Sequence, residues 1–314
     1  MKIPQLVCRA AFVMALLSVP RPLVAGVGPG GGGTGQDLVL LSAPGPLVAN
    51  PIPQDCLIGG FAIGCQAWTF NHYTVLEAID KTAQAGGRVI EFYPGQKFSP
   101  EHPDWKFDHH ASDEMIAEVK ARLEQDGVRA VNYGVVDIPR DESGAREIFD
   151  FARKLGLYGV TTESIGSLDT IEKLVKEYNI CVGFHDHQRR PDSPDYRMWD
   201  PNFVLSLLQD RDPRIGACAD TGHWVQSGLK PVDCLKILQG HIISVHLHDM
   251  NEFSPTAHDI PAGTGVSDVS GILDELKRQD FKGNISIEYE YNWTNNVVDA
   301  AQGVGFVRGY GFSR

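Results

Sequence analysis

The sequence lacks several features that would point to a function directly. Its six cysteines form no C-x-x-C pair, so a zinc ribbon or a thioredoxin-like redox motif is not indicated. No G-x-G-x-x-G or Walker-type loop follows the first strand-like segment, so nucleotide binding has no support. Basic residues are few: 28 Lys and Arg face 40 Asp and Glu, which gives a formal net charge of -12. This balance argues against nucleic acid or an anionic membrane as a partner, and fits a neutral sugar or a cation better.

Long apolar runs are also missing. The run AAFVMALLSV at residues 10–19 is too short to span a membrane comfortably, but it follows Lys2 and Arg9 and precedes a small-residue site ending at Ala25. We therefore predict a signal peptide over residues 1–25, export to the periplasm or the extracellular space, and no membrane span in the mature chain. A buried N-terminal helix is the alternative. The following GVGPGGGGTGQ argues against it and predicts a Gly/Pro-rich linker over 26–57.

From residue 58 onward, short apolar runs alternate with longer helical patterns such as TVLEAIDKTAQAG, SDEMIAEVKARLEQDG, AREIFDFARKLG, TIEKLVKEY and VSGILDELKRQ. This alternation and the length favour a single (β/α)8 TIM barrel over residues 58–314, with a doubly wound open sheet as the alternative. The predicted strands are 60–66, 88–93, 129–135, 158–163, 180–185, 215–220, 242–248 and 284–290.

Polar and acidic residues gather at the predicted carboxyl ends of these strands, where barrel enzymes place their catalytic groups. A lone histidine there is more often structural, but six of the eight strands end in Glu, Asp or His. So many carboxylates and imidazoles at one mouth would perturb one another's pKa values strongly, and a divalent cation (Mn, Co, Fe, Zn or Mg) relieves that conflict. The residues concerned are Gln66, Trp68, Glu91, Glu163, His185, His187, Asp220, His223, His246, His248, Glu288 and Glu290.

Four segments, ACADTGHWVQSGL, SVHLHD, HDIPAGTG and ISIEYE, resemble the sugar phosphate isomerase/epimerase family of xylose isomerase-like TIM barrels. The resemblance covers about residues 58–310. It implies a divalent metal site with one ligand from each of strands five to eight, namely His185, Asp220, His246 and Glu288.

The chain departs from the family pattern at two positions. Many relatives carry a Glu at the end of strand five, where this chain has His185, so Glu163 is left open as a fourth ligand or as a base. Epimerases place an arginine six residues after the strand-seven ligand, and here that residue is Glu252. The usual recognition of a phosphate or a ketose is therefore not expected.

The resemblance implies removal of a proton next to a sugar carbonyl, which yields an enediolate. We expect a carbohydrate lyase that performs β-elimination on a 3-keto-glycoside. The chain would then belong to an exported branch of the family, one that resembles 3-keto-glycoside lyases. The alternatives are a keto-sugar isomerase or epimerase, a non-catalytic carbohydrate-binding barrel, and a metal-dependent endonuclease. The expected catalytic residues are Glu163, His187, Glu288 and His248, and the expected substrate-binding residues are Gln66, Trp68, Glu91, His223 and His258.

Overall fold

The structure is a computed structural model, and it describes residues 47–313. The predicted signal peptide and residues 26–46 of the predicted linker lie outside the described residues. In the described part of the chain, no helix combines the length and the apolar character that crossing a bilayer requires.

Eight parallel strands form the centre of the fold. Each strand pairs with the next one in the chain, and the last strand pairs with the first, so the sheet closes on itself. The predicted TIM barrel is confirmed, and an open doubly wound sheet is excluded because it would leave two free edges. The strands are β1 (Phe61–Gln66), β2 (Val89–Phe92), β3 (Arg129–Tyr133), β4 (Gly159–Thr162), β5 (Cys181–His185), β6 (Ile215–Asp220), β7 (Ile242–Leu247) and β8 (Asn284–Ile287).

Helices cover the outside of the barrel, and their ends follow local sequence signals. A capping box formed by Thr74 and Glu77 starts the first helix. Gly127 and Gly156 end the second and third helices in the left-handed conformation. Five of the helices correspond to the predicted helical patterns, while the fifth, sixth, seventh and ninth helices correspond to none of those patterns. The helices are α1 (Val75–Gln84), α2 (Asp113–Asp126), α3 (Glu142–Leu155), α4 (Leu168–Tyr178), α5 (Pro201–Leu208), α6 (Thr221–Gln226), α7 (Pro231–Ile237), α8 (Val269–Arg278) and α9 (Val297–Phe312).

A hydrogen-bonded network of buried polar side chains runs through the barrel interior. Asn132 donates to Asn284 Oδ1 over 3.0 Å, Asn284 donates to Ser286 Oγ over 2.9 Å, and Ser286 donates to Glu91 Oε2 over 3.1 Å. All four side chains are fully buried, so each depends on these internal partners. This network of side chains ends at the carboxyl side of the strands, directly below the cluster of histidines and carboxylates described next.

The opposite end of the barrel is covered by residues just before β1. The short strand Leu57–Ile58 pairs antiparallel with β1, and Ala49 N donates to Asn179 O over 2.8 Å. The five cysteines in the described part of the chain are all buried and free, so Cys56 and Cys65 do not form a disulfide.

Candidate metal centre and active site

The ends of strands β5 to β8 bring four side chains together. His185 and Asp220 are the last residues of β5 and β6, His246 is the penultimate residue of β7, and Glu288 directly follows β8. One donor atom from each lies within 4.8 Å of the others. His246 Nδ1 is 2.7 Å from Glu288 Oε2, and His185 Nε2 is 3.5 Å from Asp220 Oδ2. The structure thus brings together the four residues expected to be metal ligands.

The donor set of this cluster fits a divalent cation. Asp220 Oδ2, His246 Nδ1 and His248 Nε2 are buried, and although each lies close to another atom of the cluster, none of them makes a contact with hydrogen-bond geometry among the described residues. Burying a polar atom without a partner is costly, and a bound cation would remove that cost. Mixed imidazole and carboxylate donors suit Mn, Fe, Co, Zn or Mg, so the geometry fits a metal without selecting one.

The charges in the cluster stabilise one another. Burial would raise the pKa values of Asp220 and Glu288, but the neighbouring histidines outweigh burial and hold both pKa values well below the ordinary range. For His185, burial would lower the pKa, yet the neighbouring carboxylates of Asp220 and Glu163 raise it. A metal that binds here would displace protons from these imidazoles.

Glu91 lies beneath the cluster and does not line the cavity. Its side chain is completely buried, with Oε2 3.1 Å from His246 Nε2 and Oε1 accepting a hydrogen bond from Thr161 over 2.7 Å. A carboxylate in this position fixes the ring orientation of His246. The expectation that Glu91 contacts substrate is therefore corrected, because the residue sits too deep in the barrel.

Glu163 directly follows β4 and lies beside the cluster. Its Oε1 contacts His187 Nδ1 and is 3.3 Å from His185 Nδ1, while Oε2 accepts a hydrogen bond from Tyr196 over 2.9 Å. Burial would raise the pKa of Glu163, but the two histidines hold it well below its usual range. The carboxylate is therefore anionic and firmly held. Glu163, His185 and His187 also form a second group that could hold a metal ion.

A cavity of about 310 Å³ opens above these residues. On its far side, Gln66 accepts a hydrogen bond from Trp68 N and donates one to Gly134 O, which fixes its amide. His223 stacks on His187 with ring centroids 4.4 Å apart, and burial lowers the pKa of His223 to about 4. The residues that line the cavity are Gln66, Trp68, Tyr93, Pro94, Gly134, Val135, His185, His187, His223, Glu288 and Glu290.

Burial also acts on Glu290, which lies on the Trp68 side of the cavity. It raises the pKa of Glu290 to about 7, and the negative charge of Glu288 adds to the effect.

His258 does not take part in the cavity wall as expected. It lies on the loop that follows β7 and packs against Tyr291, with ring centroids 4.5 Å apart and the ring planes tilted by 31°. The next residue, Asp259, reaches inward instead, and its Oδ1 is 2.8 Å from His248 Nδ1. Asp259 and Tyr196 were both missed by sequence reasoning, because they lie within loops, where no strand end marks which side chains turn inward. The HDIPAGTG segment was recognised, and sequence reasoning selected His258 from its His–Asp pair, whereas Asp259 is the member that contacts His248.

Comparison with known proteins agrees with the fold. Residues 79–310 match a family model described as xylose isomerase-like TIM barrel. The crystal structure of an uncharacterised protein from Parabacteroides distasonis is 32% identical, with a TM-score of 0.62, and the match covers 79% of this chain and 98% of that one. No curated protein shows significant sequence similarity to the chain.

Two more distant structures share the fold alone. A D-tagatose 3-epimerase-like protein is 18% identical with a TM-score of 0.60, and the match covers 79% of this chain and 96% of that one. A D-allulose 3-epimerase from Methylomonas sp., solved with D-allulose, is 16% identical with a TM-score of 0.57 and the same two coverages.

Proposed function

Because the chain belongs to the xylose isomerase-like TIM barrel family, we propose that it is a divalent-metal-dependent enzyme acting on a carbohydrate by removing a proton next to a carbonyl. One observation carries this proposal: four buried donors from successive strand ends converge below an open cavity, with an anionic carboxylate beside them. A barrel that only bound sugars would not need buried donor atoms that lack hydrogen-bond partners.

The proposed roles follow from the contacts. His185, Asp220, His246 and Glu288 would hold the metal, which when bound would polarise the sugar carbonyl and make the neighbouring C–H bond more acidic. Glu163 is the base that takes the proton, because it is anionic and its position is fixed by hydrogen bonds. His187, in contact with Glu163 and open to the cavity, donates a proton to a departing oxygen.

The cavity favours a neutral sugar over a sugar phosphate. No Arg or Lys lines it among the residues that the structure describes. The guanidinium groups of Arg189 and Arg190 instead pack over the rings of Trp199 and Tyr196, at 5.2 and 4.1 Å from the respective ring centroids. Trp68 provides an aromatic wall of the kind that packs against a sugar ring. The substrate is accordingly a neutral keto-sugar or keto-glycoside.

The outcome that we propose first is β-elimination of a 3-keto-glycoside. Glu163 takes the C2 proton, the C–H electron pair becomes the C1=C2 double bond, and the C1–O bond breaks. His187 then gives its proton to the released oxygen, which leaves as an alcohol. The acid lines the cavity, and the base lies in direct contact with it. This arrangement suits elimination, in which both proton transfers serve neighbouring atoms of the sugar.

Epimerisation or isomerisation is the second candidate. The solved relatives include a D-allulose 3-epimerase and a D-tagatose 3-epimerase-like protein, which makes the reaction class a natural one for this fold. Epimerisation needs a proton returned to the opposite face of the sugar. Glu288 or Glu290, which both line the cavity, would have to return it.

The test uses the purified protein reconstituted with Mn²⁺, Co²⁺ or Zn²⁺ and offered 3-keto-glycosides and free ketoses in D2O. We expect release of the alcohol together with loss of the C2 hydrogen to solvent, because C2 of the elimination product carries no hydrogen, whereas epimerisation would leave solvent deuterium on the sugar carbon. Glu163→Gln should lower kcat at least 1,000-fold while keeping the metal, at the upper end of what a catalytic base contributes. His185→Ala should lose the metal. Glu118→Gln, on the exposed face of α2, should change neither kcat nor metal binding.

Two results would decide against parts of this proposal. Epimerised or isomerised ketose without alcohol release would establish the second candidate. A wild-type protein that takes up no metal after reconstitution would leave only a sugar-binding barrel.

We also propose that residues 1–25 direct export of the chain. Amino-terminal sequencing of the protein recovered from the periplasm or the medium should start at Gly26. Recovery of the protein only from the cytoplasm, with residues 1–25 intact, would overturn this proposal.

A further inference from the structure

We infer that His248 is a fifth ligand of the proposed metal centre, oriented by Asp259. This inference rests on the proposed function, since it assumes that His185, Asp220, His246 and Glu288 hold a divalent cation. It assigns a further metal ligand, and it gives the loop between β7 and α8 a role in building the site. The residues concerned lie within the HLHD and HDIP segments of the chain.

One ring nitrogen of His248 points at the cluster. His248 directly follows β7 and is 4% exposed. Its Nε2 is 3.1 Å from Asp220 Oδ2 and 3.6 Å from Glu288 Oε2, so it neighbours two of the four proposed ligands. Within residues 47–313, neither His248 Nε2 nor Asp220 Oδ2 has a hydrogen-bond partner. Two buried atoms that lie this close without a hydrogen bond suggest neighbouring ligands of one cation.

The other ring nitrogen of His248 is held by a carboxylate. Nδ1 is 2.8 Å from Asp259 Oδ1, and an ionised carboxylate can only accept a hydrogen bond. When a metal is bound, the proton that His248 keeps therefore sits on Nδ1, and Nε2, which faces Asp220 and Glu288, is the nitrogen left to bind the cation. A histidine that binds a metal almost always gives its other N–H to such a partner.

The backbone around His248 is equally constrained. Its N–H donates to Thr221 Oγ1 over 2.8 Å, and Thr221 donates back to His248 O over 3.0 Å. A Cβ at Gly222 would lie 2.8 Å from Cγ of His248, so the ring occupies space that only a glycine leaves open. The imidazole is thus placed by the residues that directly follow Asp220.

The loop that supplies Asp259 is built around a second aspartate. Asp249 accepts hydrogen bonds from the backbone N–H groups of Gly263, Gly265 and Ser267, over 2.8, 2.8 and 3.1 Å. Asp259 Oδ2 in turn accepts from Glu290 N over 2.9 Å. One carboxylate therefore connects the His248 ring to the chain beyond β8, where Glu288 is found.

His223 offers a matched comparison within the same cavity. It is also a histidine close to Asp220, but its Nδ1 lies 2.9 Å from the Gln226 side-chain oxygen, and its ring stacks on His187. It has a neutral amide where His248 has a carboxylate. We expect His223 not to bind the metal.

The experiment loads the full protein with Mn²⁺ and counts bound imidazole nitrogens by pulsed EPR, alongside Mn²⁺ affinity measured by competition with a chelator. The wild type should show three imidazoles, and His248→Gln should show two, with affinity at least 10-fold lower. Asp259→Asn, which keeps His248, should also lower affinity about 10-fold. His223→Gln should match the wild type in both measurements, and circular dichroism melts should confirm that each variant is folded.

The outcomes separate this inference from the proposed function. A wild type that binds Mn²⁺ with two imidazoles, and a His248→Gln variant with unchanged affinity, would overturn the role of His248 and leave the metal centre in place. A wild type that binds no metal would overturn both. If His248→Gln fails to fold, the nitrogen count of the wild type and the affinity of Asp259→Asn decide the question.

Discussion

Trp68 donates its indole N–H to Glu290 Oε1 over 2.7 Å, and this hydrogen bond connects the chain after β1 with the chain after β8. The indole also packs edge-on against Tyr93, with ring centroids 4.9 Å apart. These two contacts fix the ring while 39% of the residue stays exposed beside the cavity. An exposed aromatic face that cannot rotate freely suits binding of a sugar ring, because little conformational entropy is lost on contact.

Trp68→Ala should therefore raise KM roughly 3- to 10-fold, since aromatic contacts of this kind contribute about 0.5–1.5 kcal/mol. Trp68→Phe should fall between the wild type and the alanine variant, because it keeps a ring but loses the hydrogen bond to Glu290. Steady-state kinetics of the metal-loaded enzyme would measure both. Trp105→Ala removes another exposed tryptophan, stacked on His102, and should leave KM unchanged. Equal KM values for Trp68→Ala and the wild type would exclude Trp68 from the binding site.

Asp220 has two roles that an asparagine substitution can separate. Its Oδ1 caps α6 by accepting from His223 N over 2.7 Å, while Oδ2 faces the proposed metal. Asparagine caps a helix about as well as aspartate, but it is a poor metal ligand. Asp220→Asn should thus keep a melting temperature close to that of the metal-free wild type and bind Mn²⁺ at least about 100-fold more weakly.

Asp200 provides the control for this substitution. It caps α5 by accepting from Asn202 N over 3.0 Å, away from the cluster. Asp200→Asn should keep both the melting temperature and the metal affinity. Calorimetry with and without Mn²⁺ would compare the two variants, and a normal affinity in Asp220→Asn would remove Asp220 from the ligand set.

The fold could be predicted because a closed parallel barrel buries both faces of its strands, which then appear as short apolar runs between helices. The ends of the elements were harder. The last strand was predicted to reach residue 290, but it ends at Ile287, and Glu288 and Glu290 stand in the loop beyond. Helix α9 was not predicted, because Gly303, Gly305, Gly309 and Gly311 obscure its pattern.

The candidate metal cluster was accessible to sequence reasoning for the same reason as the barrel. Once strands β5 to β8 are placed, their ends must converge, and the residue types at those ends suggest a metal site, while the choice of four ligands came from the family resemblance. Depth along the barrel axis and the path of loops carry no such signal. Glu91 therefore could not be recognised as lying below His246, and the inward turn that brings Asp259 to His248 could not be foreseen.

Gly311 in α9 packs against the chain just before β1, and no side chain fits there. A Cβ at this position would lie 2.4 Å from Cα of Gly59, a backbone atom that cannot move aside easily. Gly311→Ala should therefore lower the free energy of unfolding by about 1–3 kcal/mol. At Gly309, two residues earlier in the same helix, a Cβ would meet nothing within 4 Å.

Gly309→Ala is the matched variant, and it should be neutral or stabilise by up to about 1 kcal/mol, because alanine favours a helix more than glycine does. Chemical denaturation of both variants would measure the difference. Equal stabilities would show that α9 shifts to make room for the new side chain.

Asp212 and Arg214 form a largely buried ion pair at the amino-terminal end of β6. Arg214 donates to Asp212 Oδ2 over 2.8 Å, its N and Nε both donate to Oδ1, and it also contacts Leu47 O over 3.3 Å. These hydrogen bonds lower the pKa of Asp212 in the folded state, against the opposing effect of burial. The pair therefore stabilises the fold above the unfolded-state pKa of about 3.9, and this contribution is lost as pH falls through the lower folded-state pKa.

Asp212→Asn should lower the free energy of unfolding by about 1–2 kcal/mol at pH 7, and the difference from the wild type should shrink as pH falls below about 4. Denaturant unfolding at pH 7, 5, 4 and 3.5 would follow the change. Asp280 and Lys282 have the same spacing in sequence, but their side chains are 82% and 74% exposed, so Asp280→Asn should change stability little at any pH. A loss in Asp212→Asn that stays constant down to pH 3.5 would mean that packing at the barrel base, and not the charge of Asp212, accounts for its contribution.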